Sequence, residues 1–144
     1  DVLRVGALLH DIGRVGVSDV IWTKRSELTE AERDIVREHP KRGAEVLQLT
    51  GLLDAEAEIA LHHHERSDGT GYPDGLTGEK IPFLARIVSV VDAYEALTSD
   101  RPWRGRHSEG SALATLRADA GRIHDPELVE AFVGFVKARQ AAVS

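Results

Sequence analysis

Apolar residues recur along this chain at intervals of three and four, the spacing that gathers side chains on one face of a helix. No alternation of apolar and polar residues runs long enough to claim a strand, so the pattern predicts an all-α chain. The stretch carrying Val2, Leu3, Val5, Leu8 and Leu9 reads as a first helix, ended by Gly13 as a left-handed terminator, with residues 15–24 as an irregular connector. Thr29 and Glu32 have capping-box spacing ahead of a helix over about 30–38. Pro40 disfavours helical geometry in the residue before it and suits the first turn of a new helix, which places His39 at a junction. The new helix runs to about Leu49, where Thr50 and Gly51 break it. Asp54 is expected to cap the next, which carries Ile59, Leu61 and the triplet His62, His63 and His64.

Residues 66–80 depart from this pattern. Gly69, Gly71, Pro73, Gly75 and Gly78 exclude a regular element, and a glycine-rich loop beside a histidine cluster suits binding. Pro82 opens the most apolar helix, through Ile87, Val88, Val90, Val91 and Ala96 to near Ser99. Ser108 heads a helix that stops at Gly121, and Asp125-Pro126 starts the last one, with Leu128, Val129, Phe132 and Val136 on one face. The expectation is one domain, a bundle of about six to seven helices with no sheet, repeat or linker.

Composition narrows the chemistry. There is no cysteine, which removes disulfides, thiolate metal sites and cysteine nucleophiles and suits a reducing, cytoplasmic setting. A charge of -6, from 24 acidic and 18 basic residues, is the opposite of the footprint for a nucleic-acid polymer. No apolar run approaches the roughly 20 residues of a membrane span. The chain lacks methionine and opens inside an apolar-periodic stretch, as expected of a segment cut from a longer protein.

What remains is a set of imidazoles and carboxylates in company. His10 is followed by Asp11, and His62, His63 and His64 by Glu65. Asp92 lies in the middle of an apolar helix, on one stripe with Ala85, Val88 and Glu95, where an unpaired charge is costly to bury. Inward carboxylate, His-Asp pair and His-His pair from three helices are the material of a core-mounted dinuclear site, in which an aspartate can bridge two ions. Such ligands suit Zn, Fe, Mn or Ni. The basic run Arg101-Pro102-Trp103-Arg104 follows the Asp92 helix and offers guanidinium groups to phosphate. His107 and His124 are read as loop or cap residues without a chemical role.

In order and spacing, His10-Asp11-Ile12-Gly13, His39, His63-His64-Glu65-Arg66, Asp68-Gly69 and Gly71-Tyr72-Pro73 resemble the HD-GYP family. The likeness continues through Ile81-Pro82, Ala85-Arg86-Ile87, Val91-Asp92, the run from Ala96 to Pro102 and Asp125-Pro126-Glu127-Leu128-Val129, so it covers essentially the whole chain. The resemblance implies an HD-domain-like helical bundle that hydrolyses cyclic di-GMP to linear pGpG, GMP or both. The attack would come from a metal-bridging hydroxide at a centre of two or three divalent ions, often iron or manganese. It further implies His10, Asp11, His39, His63, His64 and Asp92 as metal ligands, and Arg14, Tyr72, Arg101 and Arg104 as substrate contacts. Asp11, Arg14 and Glu95 would serve catalysis. The Gly71-Tyr72-Pro73 loop would contact diguanylate cyclase (GGDEF) partners, and an upstream sensor or receiver domain is expected.

Three departures from the family bear on activity. Arg14 stands where the family usually has lysine, and arginine essentially never gives up a proton. Glu95 stands where aspartate is usual, and the two changed residues are expected to meet or to share a ligand. The family's upstream ligand-bearing helix is absent from residues 1–144, so the domain is expected to be truncated on its N-terminal side. Two other readings compete: a non-catalytic module that binds a cyclic dinucleotide or a GGDEF partner, and an HD-type hydrolase of another nucleotide phosphoester.

Overall fold

Five of the eight described α-helices start on a side-chain oxygen that takes up a free amide hydrogen. The computed structural model describes residues 1–51, 53–101 and 104–142. Within them lie α1 (Val2–Leu9), α2 (Asp19–Trp22), α3 (Glu30–Arg37), α4 (His39–Gln48), α5 (Asp54–His62), α6 (Phe83–Thr98), α7 (Glu109–Asp119) and α8 (Pro126–Ala141). Seven of these span at least eight residues, and α2 is a single turn. No strand occurs among the described residues, so the all-α expectation holds. Thr29 and Glu32 form the full capping box of α3, Ser108 accepts from Ser111 N, and Asp125 accepts from the amides of Glu127 and Leu128.

The structure corrects three local expectations. Asp54 is the first residue of α5, and Leu53 occupies the cap position without a side-chain bond; the Asp54 carboxylate still faces the positive end of the helix. Residues 15–24 are not wholly irregular, because a 3-10 turn over Ile12–Gly16 and the four-residue α2 occupy most of the segment. Gly13 lies inside that 3-10 turn and is not among the glycines with positive φ. Its missing side chain serves contact instead, since a Cβ there would lie 2.0 Å from the His39 carbonyl oxygen and 2.5 Å from Gly43 N.

The helices pack in two halves. In the first, α4 and α5 close on Ala44, Leu47, Ala57 and Ala60, with Leu9 and Ile12 packed against them. Alanines at 0% exposure in α5 let these helices approach closely. In the second, α6, α7 and α8 bury Val90, Leu113, Leu116, Val129, Val133 and Val136, with Tyr94 and Phe132 edge to face at 5.1 Å. Each larger aliphatic side chain buried in this way contributes about 1.5–3 kcal/mol. Helix α5 also packs on α6, which brings Asp92 toward the histidines of the first half.

Two glycine substitutions are expected to shift stability in opposite directions. Gly13→Ala must push the 3-10 turn off α4 and is expected to lower stability by about 2 kcal/mol or more. Gly134→Ala, in the interior of α8 with open space around its would-be Cβ, is expected to raise it by about 0.5–1 kcal/mol. Urea unfolding of both variants checks the pair; equal effects would contradict the close approach at Gly13.

Candidate metal centre

Helix ends leave carbonyls without partners, and three of them orient the histidines of this site. His10 follows α1 and its Nδ1 lies 2.7 Å from Ala7 O. His39 lies at the α3–α4 junction with Nδ1 2.7 Å from Val36 O, and His63 follows α5 with Nδ1 2.8 Å from Ala60 O. A carbonyl only accepts, so each Nδ1 donates, and the neutral ring carries its lone pair on Nε2. A hydrogen bond on the far ring nitrogen is also the usual partner of a metal-ligating histidine.

The three Nε2 atoms converge on Asp11. Its Oδ1 lies 3.3 Å from His39 Nε2 and 3.8 Å from His63 Nε2, while its Oδ2 lies 3.3 Å from His10 Nε2. Asp92 reaches in from α6, with Oδ1 3.7 Å from His10 Nε2. Two groups of potential ligands result, one of Asp11, His39, His63 and His64, the other of His10, Asp11 and Asp92, each with ligand atoms within 4.8 Å. Asp11 is common to both, and its two oxygens face different groups.

The electrostatics suit cations. Burial opposes charge on His10, but Asp11 and Asp92 beside it prevail and raise its pKa to about 10. Burial also opposes charge on Asp11 and Asp92, yet His10 beside each holds both carboxyls below the usual range. Burial, with neighbouring imidazoles, pushes His63 well below its ordinary value and His64 down to about 3. The site therefore presents two carboxylates and two neutral imidazoles at neutral pH, and the field that would keep a proton on His10 favours a divalent ion equally. His10 Nε2 and Asp11 Oδ1 are buried without a hydrogen-bond partner, and His39 Nε2 faces His63 Nε2 at 3.4 Å with both lone pairs inward. The partnerless Asp11 Oδ1 and the facing lone pairs of His39 and His63 are costly to bury, and bound cations would answer them. The donor set fits divalent metal.

A cleft of about 750 Å³ opens above this cluster, lined by Arg14, Trp22, His64, Asp92, Arg101 and Arg104. Arg14 sits over the Trp22 ring at 4.7 Å, and its Nε makes an ion pair with Asp11 Oδ1 at 2.9 Å without hydrogen-bond alignment. Arg104 donates to the carbonyls of Ala96 and Leu97, which close the C-terminal end of α6. Tyr72 stacks on His64 with ring centroids 4.9 Å apart, and burial raises its phenol to about 12, so it remains a neutral donor.

Residues 2–128 match the HD domain family. This chain belongs to it. Its relatives include the cyclic di-GMP phosphodiesterase response regulator RpfG of Xanthomonas campestris, 43% identical over 134 residues, covering 92% of this chain and 35% of RpfG. The cyclic di-GMP phosphodiesterase PA4108 of Pseudomonas aeruginosa is 43% identical over 133 residues, covering 90% of this chain and 31% of that protein. A crystal structure of a cyclic GMP-AMP specific phosphodiesterase of Vibrio cholerae has a TM-score of 0.72 at 25% identity, over 94% of this chain and 38% of the other. This HD domain thus spans about a third of the length of the curated relatives it matches. The Gly71-Tyr72-Pro73 motif lies within the matched residues.

Of the residues expected from sequence, the HD domain brings all six candidate ligands into one cluster. It does not pair Arg14 with Glu95. Glu95 accepts from Ser99 Oγ at 2.6 Å and pairs with Arg101 at 3.3 Å, because its side chain leaves α6 nearer solvent than that of Asp92. Pro102 and Trp103 of the basic run lie outside the described residues. Sequence reasoning missed two residues. Trp22 forms a wall of the cleft and packs against His39 at 6.2 Å, and its only signal was a lone tryptophan in a presumed connector. Glu65, 2% exposed, accepts from the amides of Asp74 at 2.7 Å and Leu76 at 3.1 Å and so holds the Gly-Tyr-Pro loop; its place after the histidines was the signal. Gly71 is needed because a Cβ there would lie 2.4 Å from Arg66 N.

Metal analysis separates the roles of the carboxylates. Asp92→Asn is expected to cost one equivalent of bound metal, and Asp11→Asn more than one, since Asp11 belongs to both ligand groups. Elemental analysis of the purified variants checks this, and equal losses would contradict a shared carboxylate.

Proposed function

We propose that this HD domain is the catalytic module of a divalent-metal-dependent phosphodiesterase that hydrolyses cyclic di-GMP to linear pGpG, GMP or both. The observation that carries the reading is the double-faced Asp11, whose two oxygens address two ligand groups on the floor of a cleft walled by arginines. The 43% identity to proteins named cyclic di-GMP phosphodiesterases supports the substrate. In this reading His10, Asp11, His39, His63, His64 and Asp92 hold the ions, and the likeness to the HD-GYP family favours iron or manganese among the metals that imidazole and carboxylate ligands suit. Ions bound there would supply Lewis-acid charge toward a phosphate oxygen and lower the pKa of a bound water.

The chain's own groups do the rest. Arg14, held by Asp11 and Trp22, and Arg101, held by Glu95, present guanidinium charge to the two phosphates of the ring. Glu95 acts by positioning Arg101. Arg104 spends three hydrogen bonds on nearby carbonyls and leaves its remaining N–H groups to the cleft. Arg14 is not an acid, so the leaving oxygen takes its proton from water. Tyr72, stacked on His64, offers an aromatic edge and a neutral hydroxyl beside the ions.

We place this module in a longer cytoplasmic protein that carries a regulatory sensor or receiver domain and completes the site with an upstream helix. No helix among the described residues is long and apolar enough to cross a membrane. The Gly71-Tyr72-Pro73 loop is the surface proposed for GGDEF partners.

The test is turnover by the native protein, loaded with Mn²⁺ or anaerobically with Fe²⁺, on cyclic di-GMP, cyclic GMP-AMP and nucleoside triphosphates. Conversion of cyclic di-GMP to pGpG or GMP is expected. Asp11→Asn is expected to lose more than about 100-fold, the loss that removing even an outer partner of a ligand can cause. Faster turnover of cyclic GMP-AMP would move the reading toward the mixed dinucleotide, and a metal-loaded protein inert on all three would overturn it.

A further inference from the structure

A third group of potential ligands lies outside the cluster described above: His62, Glu65 and Asp74, with ligand atoms within 4.8 Å of one another. His62 Nδ1 faces Asp74 Oδ2 at 3.7 Å and Glu65 Oε1 at 3.9 Å. On the other side of the ring, Nε2 lies 3.5 Å from Glu58 Oε2, one helical turn earlier in α5. A neutral ring with its proton on Nε2, toward that carboxylate, carries its lone pair on Nδ1. His62 is only 7% exposed, and its Nδ1 has no hydrogen-bond partner. A buried lone pair aimed at two carboxylate oxygens is repulsive unless something positive sits among them.

The surroundings are built for an ion. Backbone amides of Asp74 and Leu76 fix the Glu65 carboxylate and leave each oxygen another lone pair. The Asp74 side chain is 50% exposed and gives an entry path from solvent. Ligands of a four-coordinate cation with bonds of about 2.0–2.2 Å stand about 3.4 Å apart, so the two spacings from His62 Nδ1, 3.7 and 3.9 Å, need to close by only a few tenths of an ångström. One imidazole and two carboxylates, without sulfur, select the Mn-to-Zn series, in which Zn²⁺ binds more tightly than Mn²⁺.

We propose that His62, Glu65 and Asp74 form a separate site for a divalent cation of the Zn²⁺ class, which fastens the Gly-Tyr-Pro loop to the end of α5. Asp74 directly follows Pro73, and His62 and Glu65 flank His63 and His64. A cation here therefore fixes how Tyr72 lies on His64 without touching the reacting groups, and water completes its coordination. The inference stands independently of the activity proposed above.

Zn²⁺ titration with elemental analysis of the whole chain, its Asp74→Ala and His62→Gln variants, and Asp11→Asn tests the site. Asp74→Ala, an exposed position that leaves the core intact, is expected to bind one Zn²⁺ fewer than the parent, and His62→Gln likewise. Asp11→Asn is expected to keep the equivalent that Asp74→Ala loses, which separates this outcome from any failure at the Asp11 cluster. Chelation is expected to speed amide exchange of residues 74–76 in the parent but not in Asp74→Ala. Equal Zn²⁺ content in the parent and a folded Asp74→Ala would overturn the proposal and assign the His62 position to a proton.

Discussion

The centre depends on a use of helix ends. Three helices terminate beside one another, and in each the last turn offers a carbonyl to the Nδ1–H of a histidine at or just past the end. One hydrogen bond thereby answers an orphan carbonyl, fixes the ring's tautomer and turns Nε2 toward a common point. The rings need no further scaffold, and His39 and His63 can lie 1% exposed because both of their nitrogens have a purpose.

Bringing those ends together requires backbone contact that side chains would block. Gly13 lets the turn after His10-Asp11 lie against α4 at His39, and Gly71 lets the Gly-Tyr-Pro loop lie against His64 and Glu65. The Glu65 carboxylate then clasps the loop through two backbone amides, which keeps Tyr72 on His64. Asp92 arrives from the other half of the bundle because α5 and α6 pack together. The group of His10, Asp11 and Asp92 therefore forms only when both halves have docked, which ties the second cation position to the completed fold.

Much of this was legible in the sequence where the determining interactions are local. The capping box at Thr29 and Glu32 and the starts at Ser108 and Asp125 depend on residues two or three positions apart, and the structure places them as read. The six candidate ligands could be named because they follow the motifs of the HD-GYP family in order and spacing, and the fold brings them together. Gly13 was misread because the reason for it lies on α4, distant in sequence, and α2 was missed because four residues hold too little of a helical period. The expected direct meeting of Arg14 and Glu95 did not occur for a similar cause, although both line one pocket with Asp92 and Arg101. Similar placement on neighbouring elements says nothing of which nearer charge captures each, and Asp11 and Arg101 did. Trp22 acquires meaning only from the ring of His39 and the guanidinium of Arg14 that surround it.

The most direct test of the central claim is ring ¹⁵N spectroscopy of the histidines in the Zn²⁺-loaded protein. Orientation by helix-end carbonyls predicts that His10, His39 and His63 all keep their proton on Nδ1 and bind metal through Nε2. Metal on Nδ1 of any of the three, or rings that remain metal-free while Zn²⁺ is bound elsewhere, would contradict it.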